Sequence, residues 1–184
     1  MEGGVDEPQP QVVAAARAGD LDAFGQLVRR YQGDVWRLSY RLVHNRSSAD
    51  DVTQDAFVRA YRFLPRYRGD SKFSTWLFSI ARNCAVDELR RSERRRRLAG
   101  ELESNAATSS DHGTRLEVAE ALAALPRDLR EPVVLIDMFG VSYAEVAEML
   151  EVPLGTVKSR VHRARELLAI ALRADGTKPG EVSG

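Results

Sequence analysis

A chain of 184 residues is one ordinary domain or two small ones, too short for a large barrel enzyme. Lys+Arg and Asp+Glu both number 27, so the net charge is zero, which excludes a uniformly cationic nucleic-acid binder but not a segmented one. Apolar residues make up 43%, yet no run approaches the roughly 18 that a membrane span needs, and Met1–Pro10 has neither the basic nor the apolar region of a signal peptide, so the chain is expected in the cytosol.

Charge is strongly segmented. Residues 1–58 carry 6 basic and 9 acidic groups, 59–97 carry 12 and 4, 98–155 carry 3 and 11, and 156–184 carry 6 and 3, so the net charges run −3, +8, −8, +3. Two basic segments flank an acidic one, and a phosphate-bearing partner responds to those local fields. The +8 and −8 segments can also attract each other, which leaves open whether they dock in the free chain. The single Cys84 permits no internal disulfide, and His44, His112 and His162 with no cysteine pair argue against a zinc site; no cofactor is expected.

Apolar spacing is helical nearly throughout and no segment alternates as a strand does, which predicts an all-α fold of two small helical domains joined by a flexible linker. Residues 1–10 read as a disordered tail and 11–91 as the first domain. Asp20 caps a long helix carrying Phe24, Leu27, Val28, Tyr31, Val35, Leu38 and Leu42, ending near His44 and Asn45. Ser48, with Asp51 in capping-box spacing, starts a second helix that stops before Pro65. After the polar loop Arg66–Ser71, a third helix covers Phe73 to Arg91. Residues 92–114 read as a linker, 115–172 as the second domain and 173–184 as a tail. Within the second domain Leu116, Val118, Ala119, Leu122 and Leu125 begin a helical set broken at Pro126, followed by helices near Arg130–Phe139, Ser142–Leu150 and Thr156–Leu172.

The last two helices have helix-turn-helix spacing. Gly140 ends one helix, Ser142 caps the next with Glu145 three residues on, and Glu151–Gly155 makes a short turn before Thr156 caps a basic helix. Val157, Val161, Ala164 and Leu168 fall within about 60° on the helical wheel and point inward, leaving Ser159, His162 and Arg163 outermost and Lys158, Arg160 and Arg165 on the flanks. That arrangement suits a helix in a major groove, with outermost side chains on base edges and flanking cations on phosphates. A solvated basic face is the plain alternative.

In the helix from Phe73, the residues Leu77, Ile80, Ala81 and Cys84 form the inward stripe. Another face offers Trp76, Ser79, Asn83 and Arg90 with Arg82 close by, and the preceding loop adds Arg66, Tyr67, Arg68 and Lys72. An aromatic ring beside polar and cationic side chains is what unpaired bases need, because a ring stacks on any base. Taken singly, Trp76 and Phe73 read first as core; together with the loop, the nucleic-acid reading is the better one. In the helix from Ser48, the residues Ala49, Val52, Ala56, Ala60 and Phe63 face inward and Asp51, Gln54, Asp55, Val58 and Arg62 outward, a mixed face that fits either a basic protein partner or solvent.

Three stretches, SADDVTQDAFVRAY over 48–61, YRGDSKFSTWLFSIARN over 67–83 and LGTVKSRVHRAR over 154–165, taken in this order closely resemble the extracytoplasmic-function (ECF) group of bacterial RNA polymerase sigma factors. The resemblance spans about residues 12–172. It implies a non-enzymatic promoter-specificity subunit of RNA polymerase that directs promoter recognition, DNA melting and transcription initiation. Asp51, Gln54, Asp55, Val58 and Arg62 would dock on the clamp of the largest polymerase subunit, with a further contact to the flap region. Arg68, Lys72, Phe73, Ser74, Thr75, Trp76, Ser79, Arg82, Asn83 and Arg90 would read and help open the minus-10 element as single strand. Thr156, Lys158, Ser159, Arg160, His162, Arg163 and Arg165 would read the minus-35 element as duplex. An anti-sigma factor is an implied partner; a homo-oligomer and membrane insertion are not, and within holoenzyme the location becomes the nucleoid. Tyr61 and Asp55 stand where many members carry Trp and Glu.

Two other readings compete. An ordinary helix-turn-helix regulator explains Ser142–Arg165 but leaves the basic aromatic end of the first domain unused, and it normally needs a dimer to read two half-sites. A nucleic-acid enzyme needs Asp50, Asp51 and Asp55 as metal ligands, but these face differently and no phosphate loop accompanies them. Geometry adds an expectation about reach. Promoter elements two duplex turns apart lie roughly 70 Å from one another. The 23 residues Ser92–Thr114 span at most about 76–83 Å extended, but average about 24–29 Å as a coil. Polymerase must therefore hold the halves apart.

Overall fold

The computed structural model describes residues 5–98 and 114–175, and among them every regular element is helical. Helix α1, Pro10–Arg17, opens on a proline whose fixed φ suits the first helical position. It closes before Gly19, whose φ of 97° is a left-handed conformation that side chains resist. Helix α2, Leu21–Val43, starts where the Asp20 carboxylate accepts the N–H groups of Asp22 and Ala23 at 2.9 and 3.0 Å. It buries Leu27, Tyr31, Val35, Leu38 and Leu42 along one face.

Helix α3, Arg46–Phe63, begins two residues before the predicted Ser48 cap. Asn45, as good a cap as serine, accepts the Ser48 N–H at 2.9 Å, so Ser48 lies inside the first turn. Ala49, Val52, Ala56 and Ala60 are buried as expected; Phe63 is not, lying 48% exposed where the helix tightens into a 3-10 turn at Leu64–Arg66. Helix α4 runs over Phe73–Leu98, seven residues beyond the predicted Arg91. Ser92–Leu98, expected in the linker, is mostly arginine, a good helix former, and Arg95 donates to the buried Glu88 at 2.7 Å about two turns back. The remaining linker residues, 99–113, lie outside the described ones. Helices α2, α3 and α4 pack on one another and α1 lies on α2. Residues 5–10, expected as a disordered tail, are anchored here: the Tyr31 hydroxyl donates to the Asp6 carbonyl at 2.9 Å and Arg30 pairs with the Asp6 carboxylate.

The second group begins with helix α5, Thr114–Ala124, and helix α6, Arg127–Val133, which starts three residues earlier than predicted because Pro126 sets its N-terminus. Pro132 lacks a backbone N–H, and the chain continues as a π turn over Val134–Met138. Helix α7, Tyr143–Leu150, carries the full capping box, with the Ser142 hydroxyl accepting the Glu145 N–H and the Glu145 carboxylate accepting the Ser142 N–H at 3.0 Å. Helix α8, Leu154–Asp175, starts two residues before the expected Thr156 cap. The Thr156 N–H donates to the Pro153 carbonyl at 2.9 Å, so Thr156 lies within the first turn. The helix also extends past Leu172 into the expected tail, of which 176–184 lie outside the described residues. Val133, Val134, Leu135, Val146, Val157, Val161 and Ala164 form this core.

The two groups touch. The ring of Phe78 on α4 packs against Phe139 at 5.0 Å between centroids, both buried, and α2 contacts α5 and α6.

Candidate nucleic-acid interface

Helix α8 seals Val157, Val161 and Ala164 completely, and the opposite side presents Lys158, Ser159, His162 and Arg163 to solvent. A hydrophobic stripe on one side of the helix forces the remaining positions outward, so this exposed strip is dictated by the heptad-like spacing of the valines. His162 and Arg163 each lie within reach of Glu166, at 3.4 and 3.2 Å. Such exposed pairs are weak and open to exchange for a phosphate. Arg165 is held differently. It donates to both carboxylate oxygens of Asp137, at 3.0 and 2.6 Å, and this hydrogen bond raises its already high pKa. Arg160 turns toward Asp128 at 3.9 Å and is partly buried. Of the seven minus-35 candidates, Lys158, Ser159, His162 and Arg163 therefore share one free face, Thr156 borders it, Arg160 is partly buried beside Asp128, and Arg165 is exposed but held by Asp137.

The minus-10 candidates divide in the same way. Trp76, Ser79, Asn83 and Arg90 lie within about 60° on α4, with Asn83 and Arg90 exposed and Trp76 and Ser79 half-buried. Trp76 rests on Tyr67 and Phe73, at 5.0 and 5.5 Å between ring centroids, and Phe73 also meets Tyr31 at 5.5 Å. Phe73 itself is 3% exposed, so its ring is a buttress for Trp76 and not a free stacking platform. Ser74 and Thr75 are also buried. At the entry to α4 the Tyr67 hydroxyl donates to the Ser71 carbonyl at 2.6 Å, and Gly69 turns the loop at φ 82°. Arg68 and Lys72 remain exposed on that loop.

A third stripe on α4, Thr75, Phe78 and Arg82, faces the second group of helices. The Thr75 hydroxyl donates to Glu145 at 3.0 Å. Arg82 gives Nε and Nη2 to one oxygen of Glu131, at 3.0 and 2.8 Å, while Arg127 engages the other oxygen. Glu7 reaches the start of the same helix and accepts the N–H groups of Phe73 and Ser74 at 2.9 and 3.3 Å together with the Ser74 hydroxyl. Sequence reasoning did not single out Glu7, Glu131 or Glu145 for this contact. For Glu131 and Glu145 the advance signal was the −8 charge of residues 98–155 beside the +8 of residues 59–97; Glu7 lies outside both segments.

On α3, Asp51, Gln54, Val58 and Arg62 are exposed, and Asp55 is half-buried in an ion pair with Arg59 at 2.9 Å, which in turn meets Asp87 at 3.0 Å. Next to them Tyr61 and Phe63 are also exposed, Tyr61 edge-on to Phe24 at 5.0 Å, an apolar extension of this face that the inward assignment of Phe63 hid. Asp50 accepts the Trp36 indole N–H at 2.7 Å, so the three aspartates imagined as metal ligands are engaged in separate contacts or turned apart. Among the described residues no cluster of three metal-ligating side chains occurs, and no helix is long and apolar enough to cross a membrane. Burial pushes the Cys84 thiol up to about 12.

Comparison with known proteins places the chain in a family. Residues 27–95 match Sigma-70 region 2 and residues 115–168 match Sigma-70, region 4. The chain is similar to the RNA polymerase sigma-H factor of Pseudomonas aeruginosa, 36% identical over 91% of this chain and 95% of the relative. It is also similar to the ECF RNA polymerase sigma-E factor of Escherichia coli K12, 36% identical over 85% and 90%. Among solved structures, the sigma factor RpoE of Bartonella quintana in complex with the anti-sigma factor NepR superposes with a TM-score of 0.73 at 28% identity, covering 84% of this chain and 99% of that one. With both regions matched in order and relatives aligned over most of their length, the chain belongs to the ECF group of RNA polymerase sigma factors, which direct promoter recognition and transcription initiation.

Proposed function

We propose that the chain recognises its promoter through two separate surfaces and has no chemistry of its own. The observation that carries this is the solvent-facing strip Lys158, Ser159, His162 and Arg163 over a sealed valine core, paired with a second surface on α4 where Trp76 stands on an aromatic buttress beside Asn83 and Arg90. The first surface suits duplex, because side chains on one helical face reach base edges in the major groove. The second suits melted strand: Trp76 offers a ring to an unstacked base, Asn83, whose Oδ1 accepts from Arg82 Nη1 at 3.1 Å, offers its amide N–H donors to the base edge, and Arg90, Arg68 and Lys72 would face the backbone.

Residues 11–91, extended by α4, would form the unit that binds polymerase and the minus-10 element, and residues 115–172 the unit that binds the minus-35 element. Asp51, Gln54, Asp55, Val58 and Arg62, with Tyr61 and Phe63 added, would dock on the largest-subunit clamp of core polymerase; the second unit would meet the flap. The acidic start of this face repels DNA, and its apolar part is what a protein partner can bury. The chain would work in the cytoplasm, on the nucleoid when in holoenzyme, and an anti-sigma factor would hold it inactive.

Start-site mapping with this protein and core polymerase on genomic DNA tests the proposal. Transcripts should begin downstream of two shared sequence elements separated by about two duplex turns. Start sites that do not change when the protein is added would overturn the reading.

A further inference from the structure

Helix α4 opens without a side-chain cap of its own. Lys72 stands at the cap position, its carbonyl accepting the Trp76 N–H at 3.0 Å, but its side chain carries donors and no acceptor. The N–H groups of the first turn are met instead from 66 residues away: one oxygen of Glu7 accepts the Phe73 N–H at 2.9 Å. The other accepts the Ser74 N–H at 3.3 Å together with the Ser74 hydroxyl. Glu7 is itself anchored, because the neighbouring Asp6 takes the Tyr31 hydroxyl on its carbonyl at 2.9 Å and Arg30 on its carboxylate, and Val5 packs on the core. The ring of Tyr31 lies 5.5 Å from that of Phe73, so the N-terminal segment, α2 and the first turn of α4 close a circuit. Phe73 is also the ring on which Trp76 rests, with Tyr67 completing the platform. Glu7 and Pro8 share with Tyr67, Lys72 and Phe73 the lining of a cavity of about 320 Å³, so the segment adjoins the minus-10 loop as well as the helix.

We propose that Glu7 is a positioning residue for the minus-10 surface: by holding the Phe73 and Ser74 N–H groups it fixes the turn that aims Trp76, and so takes part in base selection without touching DNA. This role rests on the assignment of Trp76 to an unstacked base, and it adds the N-terminal segment to the unit that reads that base. Two features separate it from plain stabilisation. The carboxylate bonds the backbone one turn before Trp76, so its loss frees the direction of the ring, while the buried core of α2, α3 and α4 does not include Glu7. Glu7 is also an anion beside the exposed Lys72, so removing it makes the local field more cationic and favours phosphates of any sequence. Base preference falls while sequence-independent affinity does not, a combination that loss of folded protein cannot produce.

The test uses holoenzyme assembled from core polymerase and the full chain. Forked DNA carrying the mapped minus-10 element as single strand, and the same DNA with each unpaired base replaced in turn, are titrated at fixed moderate salt. The proteins compared are the wild type, Glu7→Ala, Glu7→Gln, Trp76→Ala and the double variant Glu7→Ala with Trp76→Ala. Glu7→Ala should lower the preference for the mapped base about tenfold, the selectivity that roughly one base contact carries. Glu7→Gln, which keeps the shape and one acceptor oxygen, should lower it about threefold, and it decides by the same ratio should Glu7→Ala not assemble with core polymerase. Affinity of both variants for single strand of randomised sequence should stay at least as high as that of the wild type. In the Trp76→Ala background Glu7→Ala should cost no further preference, because it acts through that ring. A preference kept by Glu7→Ala and lost by Trp76→Ala overturns the positioning role and leaves the melted-strand reading intact. An equal loss of affinity for every sequence, with the preference kept, overturns it as well, and so does uniform tightening, which would make Glu7 only a competitor of phosphate. A preference that Trp76→Ala leaves unchanged overturns the melted-strand reading and this inference together.

Discussion

His44 ends α2 in the left-handed region, at φ 53°, and its ring lies beside Arg130 and Arg41 where the two halves meet. Burial first, then these two cations, lowers its pKa from 6.5 to about 4. A folded pKa below the unfolded one means that the unfolded chain takes up the proton first. The resulting stabilisation is complete above pH 6.5 and is lost as pH falls toward 4. Discounted for partial exposure, the loss between pH 7 and pH 5 is about 1 kcal/mol. Urea titrations at the two pH values should show it, and His44→Asn, which tolerates the left-handed backbone, should flatten it. Cys84 gives a second residue-scale outcome. With its thiol pushed up to about 12 by burial, it should react with a thiol reagent only after the protein is unfolded. Arg165 and Arg163 should also part company. Arg165→Ala removes a two-point contact to Asp137 and should lower stability, whereas Arg163→Ala should weaken minus-35 selectivity by about 1–3 kcal/mol in binding or transcription assays on variant promoters.

At the scale of elements, the helices follow from their apolar spacing, and the errors lie at their ends. The start of α3 shows why. Asn45 and Ser48 are both acceptable caps, and the choice fell to Asn45, whose side chain accepts the Ser48 N–H. Asn45→Ala should therefore destabilise the protein by about 1 kcal/mol, while Ser48→Ala should lack that capping loss, as thermal unfolding can check. The extension of α4 through Ser92–Leu98 was illegible because arginine runs fit a solvated strap as well as a helix. Glu88, buried on α4 and bonded to Arg95, lies within the part already read as helical and gave no separate signal. The exposed strip of α8 was legible, since Val157, Val161 and Ala164 at helical spacing leave one outward direction for Ser159, His162 and Arg163, whereas the pairing of Arg160 and Arg165 with Asp128 and Asp137 was not.

For the whole molecule, the decisive feature is that the halves touch through Phe78 and Phe139, Arg82 and Glu131, and Thr75 and Glu145. Coil statistics already favour short separations, and the docked seam favours them further. Purified without polymerase, the protein is thus expected to bind duplex promoter DNA weakly at moderate salt and to gain both affinity and register when core polymerase is added, in a mobility-shift or footprinting experiment. If Lys158 meets a phosphate as proposed, Lys158→Ala should lower the salt slope of holoenzyme binding by about 1 and act alike on all promoter sequences.

From the sequence alone came the all-α class, the helix-turn-helix, the outward strip on α8 and the order of motifs that identified the family, because each depends on contacts within one helix or on residues close along the chain. What tertiary structure decided was which polar side chains are free. Phe73 became a buttress, Arg165 a structural ion pair, and Thr75 and Arg82 partners of glutamates 70 and 49 residues away. A wheel diagram assigns a side chain to a face but cannot say what lies opposite that face. That depends on how two helical bundles of opposite local charge come to rest against each other, and only the folded chain contains the answer.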